Sequence, residues 1–194
     1  STPQGTYYPN STISQRCYWQ QGAGDGDRSY YDICLKYGVI LNGPGNWGKA
    51  IVHNNDLDDS YKDKLVSMGA SMQKIADLKR FCVDMKRGDI VALKRGKQEV
   101  YGVGIIESDY DWSELFSDVD GWDLQHYRRV KWLWTIEDNN NQPMRFGANT
   151  LKLGTTHILG SAKVINWVNN ILQQHDLNDN SVALPRYLLK IIEK

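Results

Sequence analysis

Two spacings of apolar positions alternate along this chain, and together they outline its elements. "RCYWQQGAG" (16–24) reads as a short strand running into a glycine-rich turn. "RSYYDICLKYGVILNG" follows as a turn or short helix and then a strand over "GVIL". In "LDDSYKDKLVSMG", Leu57, Tyr61, Leu65 and Met68 return at near-helical intervals, and Gly69 supplies the stop. Ser71 is placed to cap a second helix, "MQKIADLKRFCVDM", with Ile75, Leu78 and Cys82 on one face. "GDIVALKRG" and "EVYGVGIIESD" read as strands joined by the hairpin signal "KRGKQ", and the glycines of "YGVGII" allow close backbone packing at a bend. "YRRVKWLWTI" alternates basic and apolar residues as a strand does, with Val130, Trp132 and Trp134 on one core-facing side. "SAKVINWVNNILQQH" is a Ser-capped helix with Val164, Val168, Ile171 and Leu172 on one stripe and Trp167 in its core, and "LPRYLLKIIEK" is a final helix or tail. Five or six strands with helices between and after them predict an α/β (α+β) fold, a small curved β-barrel flanked by helices.

The 194 residues suit one domain, at 16–175, with a polar lead-in at 1–15 and a C-terminal helix or linker at 176–194 leading to any further domain. Hydrophobic residues at 41% and charged residues at 24% are ordinary for a soluble globule. No run approaches the roughly 18 apolar residues of a membrane helix, so no membrane partner is expected. The opening "STPQGTYYPNSTISQ" has neither the basic nor the apolar region of a signal peptide. Cys17, Cys34 and Cys82 are odd in number and scattered, which predicts reduced thiols in a cytoplasmic protein and no metal site. Seven tryptophans and eleven tyrosines against three phenylalanines change the picture, because amphipathic aromatics in excess suggest a surface that stacks on a ligand.

"GPGNWGKA" (43–50) fits the phosphate-loop pattern G-x-x-x-x-G-K-[ST] except at Ala50. Ala50 has no hydroxyl for magnesium, Pro44 removes a backbone donor, and Trp47 crowds a loop that must wrap an anion. The β-branched "IVHNND" then stands where a helix should begin. The stretch reads better as a glycine-shaped loop presenting Trp47; the plainer alternative folds Trp47 back onto the core. His53, His126, His157 and His175 stand apart, without HExxH, GxSxG or a Cys–His arrangement, so no catalytic residue and no cofactor is assigned. The expected function is binding.

Net charge is zero, yet its distribution is uneven. Lys86, Arg87, Lys94, Arg95 and Lys97 lie close together, Arg128, Arg129 and Lys131 follow on a later strand, and residues 107 to 123 hold seven acids and no base. The reading is a basic face for phosphates, carried by Lys94, Arg95, Lys97, Arg128, Arg129 and Lys131, beside an acidic flank that limits indiscriminate binding. An ordinary solvated surface is the alternative.

"YWQQGAG", "GPGNWG", "GDIVALKRG", "YGVGII" and "HYRRVKW", in that order over residues 16 to 172, resemble the EVE and YTH domains of the PUA-like superfamily. The nearest resemblance is to the EVE-like N-terminal domains of McrB-type modification-dependent restriction ATPases. It implies a PUA-like, EVE-type curved barrel of five to six strands and an aromatic cage for a flipped, modified base on DNA. It also implies a tether to an AAA+ GTPase or ATPase motor and a nuclease subunit. Carried onto this chain, one cage wall falls on Trp47 and another on Trp122 or, less well, Trp112, with Trp19 or Tyr18 at the rim. Stacking on such faces returns about 1–3 kcal/mol per base. Asp123, Asn42 and Asn46 are the candidates for reading a base edge, Asp123 having a turn-capping role as its alternative. RNA binding by a PUA-like or YTH-like module is the second functional reading. A nucleotide-hydrolysing enzyme built on "GPGNWGKA" is the third.

Overall fold

Strand β1 (Tyr18–Gly22) organises the domain because both of its faces are needed: Trp19 faces one apolar cluster and Tyr18 the other. The computed structural model describes residues 16–178; the expected lead-in lies outside these residues, as does the expected C-terminal segment beyond Asn178. β1 pairs in parallel with β5 (Ile90–Arg95) and antiparallel with β10 (Thr156–Ile158). β5 turns at Gly96 into β6 (Glu99–Ile106), which pairs with β8 (His126–Thr135), and β8 pairs with β2 (Val39–Asn42). The path β10-β1-β5-β6-β8-β2 curls into a half-barrel of six strands, in a mixed α+β fold with four helices.

The helices follow their capping signals. Helix α1 (Tyr31–Tyr37) stops at Gly38 in the left-handed region, where a side chain would strain the turn into β2. A short hairpin of β3 (Val52–His53) and β4 (Asp56–Leu57) precedes α2 (Asp59–Ser67), whose N-cap Asp58 accepts from the Ser60 amide. The side chain of Ser71 accepts from the Lys74 amide and starts α3 (Met72–Lys79), which continues into a π-helical turn, Arg80–Asp84. Two short strands complete the sheet, β7 (Asp111–Trp112) on β8 and β9 (Met144–Arg145) on β6, before α4 (Ala162–Asn178).

Successive residues of β5 are buried on opposite sides: Val91 and Leu93 in a cluster with Ile40, Leu65, Leu78 and Phe81, and Ile90 and Ala92 in one with Val168 and Leu172 of α4. The two glycines of β6 act as expected. A Cβ on Gly104 would lie 2.5 Å from Val130 and 2.6 Å from the Lys131 carbonyl, so only glycine lets β6 and β8 cross this closely. The face shared by Trp132 and Trp134 does not survive. The pairing passes from Gly104↔Trp132 to Val103↔Trp134, and the extra residue, Leu133, redirects the strand. Trp132 therefore packs on the first cluster, with its indole N–H donating to the Cys34 carbonyl at 3.0 Å, and Trp134 packs on Trp167 in the second. No helix among the described residues is long and apolar enough to cross a membrane.

Candidate functional site

Five segments distant in sequence enclose a cleft of about 430 Å³ at the end of β2. The volume lies within the usual range for small-ligand sites. Its aromatic walls are Tyr30 and Trp122, its inner polar residues Asn42 and Lys74, and Asp25 and Asp123 are acids of its lining. The loop "VDGW" presents Trp122: Val119 and Trp122 exchange both backbone hydrogen bonds at 3.0 Å, and Asp120 and Gly121 take positive φ between them. That is the Asp-Gly turn that suits a two-residue hairpin. The half-buried Trp122 ring meets buried Tyr30 edge-on at 5.4 Å, and the Arg28 guanidinium lies 4.2 Å from its centroid. The Trp122 loop comes so near β2 that a Cβ on Gly43 would sit 2.0 Å from the Asp123 carbonyl oxygen. The first glycine of "GPGNWG" thus serves the closeness of two chains at the cleft, and the loop turns away before it reaches Trp47.

A buried hydrogen-bond network holds the cleft's inner end. Asn42 donates to Asp77 at 2.9 Å and to Thr156 at 3.0 Å, and accepts from Lys74 at 2.7 Å and from the Gly43 amide at 2.8 Å. Lys74 also donates to Asp77 at 2.9 Å, while the second Asp77 oxygen accepts the Thr156 amide at 2.6 Å. The Thr156 hydroxyl donates to Gln21 at 2.7 Å, and Gln21 donates to the Leu41 carbonyl at 2.9 Å. Asp77 is the only acid of this chain of contacts, and it fixes the ammonium of Lys74 at the cleft.

Of the five expected cage aromatics, Trp122 alone lines the cleft. Trp47 is 45% exposed in the turn closed by Gly45 and Gly48, beyond Pro44. Trp112 is half-buried and donates its indole N–H to the Gly45 carbonyl at 2.6 Å, so it pins the loop. Trp19 is core, 2% exposed, with its N–H on Asp89 at 2.8 Å. Tyr18, on the opposite side of β1, donates to Asn169 of α4 at 2.6 Å. The rim role expected for these two fails because Trp19 is buried in the core and half-buried Tyr18 faces α4 on the other side of β1. Asp123 does line the cleft, exposed, with Gln125 donating weakly to it at 3.4 Å. Asn42 lines it as well, but both its donors and its oxygen are already used, so it positions Lys74 and does not read a base. Asn46 is exposed in the Trp47 turn and takes no part in the lining.

Two of the six expected phosphate ligands lie inside the protein. Lys94, 4% exposed, donates to the Gly96 carbonyl at 3.0 Å, and burial draws its pKa down to about 8. Arg128, 3% exposed, donates to the carbonyls of Phe81, Ser108, Cys82 and Met85. Arg95 is half-buried, and donates at 3.2 Å to Gly26, next to Asp25 of the cleft. Lys97 and Arg129 are exposed, Lys97 donating to Asn149 at 3.2 Å, and Lys131 is half-buried. Tyr30, Lys74 and Arg28 were missed. The "DG" signal before Trp122 was legible, but nothing in the sequence links it to residues 30 or 74.

His126 is fully buried and holds the 43–50 loop in place. Its Nε2 lies 3.0 Å from the Pro44 carbonyl, which makes that nitrogen the donor, so Nδ1 accepts the Tyr110 hydroxyl at 2.6 Å. Tyr110 in turn accepts the Ala50 amide at 2.8 Å. Residues 43–50 are therefore bound into the fold, and β3 follows where a phosphate loop would begin a helix. Burial lowers the His126 pKa from 6.5 to about 4. The unfolded chain protonates first, so this stabilisation is complete above pH 6.5 and drains as pH falls towards 4. We expect a loss on the order of 3 kcal/mol across that window. Urea melts of wild type and His126→Gln at pH 7, 5.5 and 4.5 measure it; equal pH slopes in both would exclude His126 as the cause.

Burial also pushes the Cys82 thiol up to about 12 and raises that of Cys34 further, so neither offers a thiolate at neutral pH. Among the described residues no group of three or more His, Cys, Asp and Glu could hold a metal ion. No curated protein matches the chain. A family model matches residues 19–159, which take in β2 to β10, all of β1 but Tyr18, and every residue that lines the cleft. On that match the chain belongs to the family described as a domain of unknown function, DUF8426.

Proposed function

We propose that this domain is a PUA-like, EVE-type reader of DNA, which takes a modified base swung out of the duplex into the Tyr30–Trp122 cleft. The observation that carries the reading is the cleft itself: an aromatic pair, a donor held by Asp77 and Asn42, and an acidic acceptor in one small cavity. An extruded base loses its stacking, and the Trp122 ring restores part of it. A Watson–Crick edge carries donors, such as an exocyclic amine, which the Asp123 carboxylate complements, and Lys74 sets a positive charge at the cleft's inner end. Arg95 and Arg28 are the cations near the mouth. The sequence resemblance supports the same reading, with this domain supplying target recognition to a modification-dependent restriction system, and any motor or nuclease activity belonging to another domain or subunit.

Labelled DNA and RNA, duplex and single-stranded, differing in one modified base, test it by direct titration. The expected outcome is preference for one modified DNA base; preference for RNA, or none among the bases, would overturn the reading. Trp122→Ala should cost about 1–3 kcal/mol of affinity for the preferred base. Trp47→Ala, outside the cleft, should leave affinity for the corresponding free nucleoside within about twofold. The reverse ranking would move the site to the Trp47 turn.

A further inference from the structure

A second cleft, of about 520 Å³, opens on the far side of Lys74 and Thr155, and these two residues belong to both cavities. Its cationic lining is Lys74 and Arg80, with His157 beside them. Two of the three Lys74 N–H groups are held by Asn42 and Asp77, and the third has no partner among the described residues. Arg80 gives its Nε–H to the Thr156 carbonyl at 2.6 Å and brings one terminal nitrogen within 3.8 Å of Asp77. The other terminal nitrogen of its planar fork faces no described acceptor. Two fixed cations therefore share a single carboxylate, Asp77, which leaves the second cleft positive. This matters because the burial of Lys94 and Arg128 has removed two of the sites expected to hold phosphate.

We propose that the phosphate of the nucleotide whose base enters the Tyr30–Trp122 cleft binds in this second cleft, on Lys74, Arg80 and His157. The DNA strand then passes over the junction of α3 and β10. The proposal rests on the base-binding reading of the first cleft. Lys74, at the shared wall, would turn its remaining N–H to the phosphate and leave the base edge to Asp123, a position that suits a point-like donor better than a fork. Supporting evidence comes from His157, whose pKa lies below the ordinary value through burial and then the Arg80 charge; Lys152 and Lys94 add to this and Asp77 opposes it. An anion seated on Arg80 would offset the part of that lowering that the Arg80 charge causes.

Three probes test the proposal on the whole chain by NMR: inorganic phosphate, a panel of free nucleosides (5-methyl-2′-deoxycytidine, 5-hydroxymethyl-2′-deoxycytidine, N6-methyl-2′-deoxyadenosine), and their 5′- and 3′-monophosphates. Inorganic phosphate should raise the His157 pKa by about half a unit or more, and should not do so in Arg80→Gln. A nucleoside should move the Trp122 indole resonance alone. One of its monophosphates should move both groups and bind about tenfold tighter than the nucleoside. If a nucleoside binds at Trp122 but neither phosphate nor nucleotide moves His157, the base reading stands and this proposal falls. If phosphate moves His157 while no nucleoside or nucleotide reaches Trp122, the base reading fails and takes the proposal with it. Because the wild-type titrations decide both points, a misfolded Arg80→Gln would not obscure the result.

Discussion

Arg128→Ala is expected to cost about 3–5 kcal/mol of folding stability, whereas Arg129→Ala, its neighbour, should stay within about 0.5 kcal/mol of wild type. Strand alternation separates the two: Arg128 points into the protein and Arg129 out of it. The Arg128 guanidinium joins β8 to the π-helical turn after α3, since it donates to the carbonyls of Phe81 and Met85 at 2.8 and 2.7 Å and reaches Cys82 and Ser108 as well. Without it those buried carbonyls lose donors that water cannot easily replace. Burial lowers its pKa to about 10, so it remains charged at neutral pH, and a buried cation surrounded by carbonyl oxygens is well accommodated. Denaturant melts of the two single variants are the measurement. A folded Arg128→Ala that has lost only DNA affinity would restore it to the phosphate-binding face.

Asp77→Ala should destabilise the domain by a similar amount, about 3–5 kcal/mol, and abolish base binding in whatever fraction stays folded. Its carboxylate is 7% exposed and accepts from Asn42, Lys74 and the Thr156 amide. Alanine leaves the Lys74 ammonium with one protein acceptor and removes the hydrogen bond by which α3 holds the edge strand β10. Asp77→Asn keeps the shape and one acceptor but not the charge, so it should fall between wild type and Asp77→Ala in stability. Melts read the first effect, and titration of the folded protein with modified nucleoside reads the second. Stability within about 1 kcal/mol of wild type for Asp77→Ala would show that water can replace the network.

Local signals in the sequence determined most of the elements. Ser71, Gly69 and Gly96 end or begin helices and turns where expected, because caps and left-handed turns depend on a few adjacent residues. Gly102 and Gly104 marked a close crossing of strands, and the two-residue period of β8 was legible up to the bulge at Leu133. A bulge adds one residue to one strand in response to its partner, so nothing within "KWLWT" announces it.

The candidate site belonged mainly to the tertiary structure. Trp122 and Asp123 were reached through the family resemblance, and the Asp-Gly turn before them is a local pattern, though the similar glycine loop at Trp47 leads outside the cleft. Trp19, Lys94 and Arg128 carry side chains suited to a nucleic-acid surface, yet the fold buries them, and half-buried Tyr18 is turned to the side of β1 away from the cleft. Which face of a strand is covered depends on helices far away in sequence, and the two faces of β1 are both covered. Tyr30 and Lys74 joined the cleft only because β2, α3 and the Trp122 loop converge on Asn42. Sequence alone determined the main helices, the five longer strands and one wall of the cleft, through capping, periodicity and turn chemistry. Tertiary packing decided the opposite wall and its lysine, because residues 30, 42, 74, 122 and 155 meet through long-range contacts that no local pattern encodes.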